Sequence, residues 1–130
     1  MKRSVVITMS LAVLLVLASG YAQAQTLVSG KIGFSFTAGS KALPAGQYEF
    51  VFDSAKSVIR VVSGGKHLAL LPVITRLSKT MHTTPKDSHI VFDRAGQTPL
   101  LSEIWVPGQD GFLLANTKGQ HEHDVVDVAR

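Results

Sequence analysis

Gly46-Gln47-Tyr48-Glu49-Phe50-Val51-Phe52-Asp53 decides the fold class. Tyr48, Phe50 and Phe52 alternate with Gln47, Glu49 and Asp53, the period of two that a strand shows when one face is buried and the other meets water. The same period runs just upstream, where Val28, Gly30, Ile32, Phe34 and Phe36 alternate with Ser29, Lys31, Gly33, Ser35 and Thr37. Between these two strands, Ala38–Gly46 reads as a loop, with Pro44 presetting φ for a turn and Gly46 free to take a positive φ.

Working outward, Ser57–Ser63 is a β-branched strand, and Ser63-Gly64-Gly65-Lys66 is a tight hairpin whose two glycines suit the positive φ angles of a primed turn. Leu68–Leu77 reads as one longer apolar strand. Its Pro72 removes a ladder donor and so assigns it to an edge or a bulge. Ser78–Ser88 is the longest polar connection. Further strands are expected at His89–Arg94, Pro99–Val106, Gly111–Asn116 and Asp124–Ala129, separated by turns at Ala95–Thr98, Pro107–Asp110 and Thr117–Gln120. Nothing after the first 24 residues holds a helical period. The expectation is an all-β chain, a single antiparallel β-sandwich or flattened small barrel of about seven to nine strands.

The chain begins Met1-Lys2-Arg3, followed by an apolar run from Val5 to Leu17 and then Ala22-Gln23-Ala24. A basic start, a short hydrophobic stretch and a small-residue Ala-x-Ala site form the pattern of a secretory signal peptide. The run is shorter than the roughly 20 residues of a membrane-spanning helix. The expected division is a signal peptide over 1–24, cleaved to leave Gln25 at the new terminus, and one β domain over 25–130, periplasmic or secreted and with no membrane anchor after cleavage. The full chain holds 13 Lys and Arg against 9 Asp and Glu, a net charge of +4. Without Lys2 and Arg3, 11 basic residues face the same 9 acidic ones, which leaves +2. The chain has no Cys, so neither a disulfide framework nor thiol chemistry is available to it.

Phe36-Thr37-Ala38-Gly39-Ser40-Lys41-Ala42-Leu43-Pro44-Ala45-Gly46-Gln47-Tyr48, with Ile90–Arg94 and Leu100–Trp105, resembles short exported bacterial proteins of an uncharacterised family that carry a Leu-Pro-Ala-Gly-x-Tyr segment and have no assigned activity. The resemblance implies a single exported β domain. It carries over no functional residue.

His121-Glu122-His123-Asp124 is the cluster with chemical potential. In an extended chain residues i and i+2 point to the same side, so the imidazoles of His121 and His123 can converge on one zinc or copper ion. A third ligand would have to come from His67, His82, His89 or a carboxylate. Phe34, Phe36, Tyr48, Phe50 and Phe52 share the parity of Ile32, which marks them as core rather than as stacking platforms for nucleic acid, and no nucleic-acid partner is expected. Catalysis lacks its usual parts. There is no Gly-x-Ser-x-Gly elbow, Ser102-Glu103 has no identifiable His partner, and Asp93 and Glu103 would pair only on adjacent strands. Trp105 reads as core or rim packing, or else as a half-exposed ligand contact. The leading expectation is therefore a non-catalytic binding or structural module without a cofactor, meeting a protein, a polymer or a small ligand through Ser78–Ser88 or Thr117–His123. The alternatives are a metal-binding protein using His121 and His123, and a homo-oligomer assembled through exposed strand edges.

Overall fold

Alternating strands of this kind bury one face only if a second layer covers it, and the computed structural model, which describes residues 24–79 and 88–129, supplies that layer from the same chain. One sheet is antiparallel throughout, in the order β1 (Ala24–Ile32), β4 (Gly46–Asp53), β5 (Val58–Ser63), β6 (Lys66–Pro72). The other runs β11 (Glu122–Val128), β8 (Ser88–Arg94), β9 (Leu100–Trp105), β10 (Gly111–Leu113), β7 (Thr75–Leu77). The short hairpin of β2 (Phe36–Ala38) and β3 (Lys41–Leu43) joins this second sheet through a parallel contact, Thr37 to Leu100. The fold is a β-sandwich and not a closed barrel. Seven strands of six or more residues fall within the expected number, and four segments of three residues bring the described total to eleven.

The core lies between the sheets and is aromatic at its centre. Phe36, Phe50, Phe92 and Phe112 are all fully buried. Edge-to-face pairs link the layers, Phe36 with Tyr48 at 5.2 Å between centroids and Phe52 with Phe112 at 4.8 Å, while Phe36 and Phe92 pair at 5.3 Å within the second sheet. Phe34 packs on Phe92 in the same manner. The five aromatics expected to form the core therefore do so, and each such pair adds about 1 kcal/mol beyond the area it buries. Burial also pushes the Tyr48 phenol above its ordinary pKa, and its hydroxyl donates to the Pro44 carbonyl.

Two expected strands are each divided between the sheets. The expected strand from Val28 to Phe36 breaks at Gly33, leaving β1 in one sheet and β2 in the other. Because both sheets face the same core, Phe34 and Phe36 keep their parity through the crossing, and period alone does not reveal it. Leu68–Leu77 likewise becomes β6 and β7. The change takes place at a single peptide, since Val73 N donates to Ser57 O at 3.0 Å while Ile74 N donates to Leu113 O at 2.8 Å. Pro72 closes β6, and β6 is an edge strand as its proline required.

Ala38–Gly46 is not the plain loop expected of it. Ala38 faces Lys41 across a two-residue turn, and the positive φ belongs to Gly39 (63°) rather than to Gly46. The Gly64-Gly65 hairpin is as expected, with φ of 57° and 78°. At the opposite side of the sandwich from β6 and β7, Ser29 and Ala129 exchange hydrogen bonds of 2.8 and 3.0 Å, which ties β1 to the chain just after β11. Close approach here requires a glycine, since a Cβ on Gly30 would stand 2.7 Å from Val128 Cγ1.

The expected leader lies outside the described residues except for Ala24, the first residue of β1. Residues 80–87, most of the expected loop Ser78–Ser88 and including His82, also lie outside them. Among the described residues no helix is long and apolar enough to cross a membrane.

Candidate metal centre

The second sheet brings the His pair to a carboxylate through strand register. β8 and β11 are antiparallel neighbours, and His123 stands directly opposite Asp93. Opposed side chains in such a pair have Cβ atoms about 5 Å apart, close enough for short polar side chains to meet. Gly119, at φ 84°, helps the chain reverse into β11, and His121 lies just before that strand begins. Glu122, His123 and Asp124 all belong to β11, so this strand begins two residues before the expected Asp124.

Asp93 is 2% exposed. Its Oδ2 accepts a hydrogen bond from Thr117 Oγ1 at 2.7 Å. Its Oδ1 is buried and accepts no hydrogen bond, although His123 Nδ1 lies 2.8 Å away, near but not in line for one, and His121 Nε2 lies 3.6 Å away. His121 Nδ1 is 2.9 Å from the Gly119 carbonyl. A carbonyl only accepts, so Nδ1 carries the hydrogen, and in the neutral ring Nε2 then holds the lone pair. A carboxylate oxygen and an imidazole lone pair repel each other unless positive charge lies between them.

The donor atoms of Asp93, His121 and His123 all lie within 4.8 Å of one another. In a tetrahedral zinc site with bonds near 2.1 Å, neighbouring donors are about 3.4 Å apart. The two rings meet edge to face at 4.7 Å. Side-chain exposure rises from 3% at Asp93 through 16% at His121 to 49% at His123, so the cluster is closed on the sheet side and open toward solvent. The contacts to Thr117 and Gly119 are the outer-shell kind that orient metal ligands.

Among the described residues, the other two histidines do not join the cluster. His67 is on β6 in the other sheet, and His89, at the far end of β8, stacks on Trp105 at 6.1 Å. Trp105 is 5% exposed and donates from Nε1 to Glu103 Oε1 at 3.0 Å, which makes it packing and removes it as an exposed ligand contact. It covers Gly111, where a Cβ would stand 2.8 Å from the indole. Asp93 and Glu103 are on adjacent strands but not opposed: Asp93 faces Leu100 and Glu103 faces Val91.

Sequence reasoning did not single out Asp93 as the carboxylate beside the His pair, because no local pattern links it to residues some thirty positions later. A search for every carboxylate at the end of an apolar strand would have included it among several. No protein-family model matches this chain, and comparison with curated proteins and with solved structures finds nothing similar to it.

Proposed function

We propose that this protein is a non-catalytic binding module for a divalent transition metal, zinc or copper, held by Asp93 Oδ1, His121 Nε2 and His123 Nδ1. The observation that carries this reading is the buried Asp93 Oδ1, which accepts no hydrogen bond while two imidazole nitrogens converge on it. Leaving a buried carboxylate oxygen unsatisfied costs about 1–3 kcal/mol, and a cation shared with the two rings removes that cost. Two imidazoles and a carboxylate suit zinc and copper better than calcium or magnesium, which favour oxygen alone. Calorimetry of the tag-free protein with each metal tests the proposal. One submicromolar site, abolished by His121→Ala and by His123→Ala, is the expected result; no heat and no shift in melting temperature would remove it.

Export to the periplasm or beyond belongs to the same proposal and rests on the Met1–Ala24 pattern. Intact-mass measurement of the secreted protein checks it, with a mass that starts at Gln25 expected. A second reading, assembly through a strand edge, draws on β6, an edge strand on which Leu70 is 59% exposed. Light scattering that reports a monomer at high concentration excludes it.

A further inference from the structure

Three protein donors leave a four-coordinate metal one ligand short, and the surroundings of this cluster determine what completes the shell. Among the described residues no further His, Asp or Glu brings a donor atom into the group. Asp93 seals the site from the sheet side, while His123 leaves it open to solvent. The vacant direction therefore points outward, the arrangement of zinc sites that exchange a water for another ligand rather than of closed structural ones. A divalent ion bound by one carboxylate and two neutral imidazoles keeps a net charge of +1, so its open position favours an anion over a neutral donor.

A cleft next to His121 is lined by Arg94, Gln120, His121 and Glu122. Arg94 uses Nε to bind Asp124, and its side chain is 55% exposed. A guanidinium carries five N–H donors, so the remaining ones are available to an anion seated between the cleft and the metal. Glu122 opposes such an anion from the same cleft, which gives the site one favourable and one unfavourable neighbour of known position.

Resting on the metal reading above, we propose that the metal held by Asp93, His121 and His123 takes a small oxyanion, a carboxylate or phosphate group, as its exchangeable ligand, with Arg94 assisting and Glu122 weakening its binding. Binding is a ligand exchange in which the anion oxygen donates its electron pair to the metal and the water leaves unchanged.

Cobalt substitution tests both layers separately. The full chain is loaded with Co(II), its visible absorption is recorded, and acetate and inorganic phosphate are titrated in turn. Four-coordinate cobalt bands that shift saturably with at least one anion are expected, and the two titrations tell which class is preferred. Arg94→Gln should weaken anion binding about fivefold and Glu122→Gln should tighten it by a similar factor, with cobalt still bound in both variants. Absence of bands overturns the metal reading itself. Bands that neither anion moves leave the metal reading standing and overturn the oxyanion ligand, and equal anion affinity in wild type and Arg94→Gln removes Arg94 from the site.

Discussion

Two buried aspartates stand near corresponding ends of strands in the two sheets, Asp53 closing β4 and Asp93 one residue from the end of β8, and their surroundings differ in one respect. Asp53, 6% exposed, has both oxygens occupied. Oδ1 accepts from Ala55 N at 3.1 Å and Lys56 N at 3.3 Å, and Oδ2 pairs with Arg60 Nη2 at 2.7 Å. Every partner lies within seven residues, so the β4–β5 hairpin satisfies its own carboxylate. Asp93, 2% exposed, has one oxygen satisfied by Thr117 and one left facing two imidazoles. Burial of a charge is tolerated in folded proteins when the charge is paired. Asp53 is paired by the fold, whereas Asp93 bonds Thr117 through one oxygen and holds the other, without a hydrogen bond, 2.8 Å from His123 Nδ1, where the proposed cation would sit.

The contrast breaks most sharply under substitution. Asp53→Ala strands the partly buried Arg60 and removes the turn's hydrogen bonds, so denaturant unfolding should show a loss of about 3 kcal/mol whether or not metal is present. At the other aspartate, Asp93→Asn keeps an acceptor for Thr117 but removes the charge, and zinc affinity by calorimetry should fall about a hundredfold or more. Without metal the same variant should match or exceed wild-type stability, since it deletes an unsatisfied buried charge; a metal-free loss as large as that of Asp53→Ala would make the two aspartates alike and both structural. Thr117→Val should weaken metal binding about tenfold with little change in apo melting temperature, because it frees the carboxylate to rotate. The smallest expected effect concerns pH. Tyr48 has its pKa raised by burial, so the unfolded chain loses that proton first, and stability should begin to fall as pH rises past about 10. Tyr48→Phe should flatten the decline in a series of alkaline melts.

Much of the first sheet was legible residue by residue. Tyr48, Phe50 and Phe52 announce β4, Gly64-Gly65 sets the β5–β6 hairpin, and Pro72 marks an edge, because each signal lies within a few residues of its consequence. The crossings at Gly33 and at Val73-Ile74 were not legible. A strand that moves from one sheet to the other keeps its inward parity, so the alternation continues while the hydrogen-bond partners change. The candidate site divides in the same way. His121 and His123 stand out through spacing, but Asp93 looks no different from Asp53 in a list of residues, both ending an apolar run.

By itself, then, the sequence determined the all-β class, the aromatic core, the turn at Gly64-Gly65 and the pair of convergent histidines, since side-chain alternation and backbone preference act over a few residues. Tertiary structure alone decided which carboxylate those histidines meet. The register of β11 against β8 places His123 opposite Asp93, and one residue of slip would turn every side chain of β11 to the other face. Register between strands so far apart in the chain is set by how the whole sandwich packs, and no short segment encodes it.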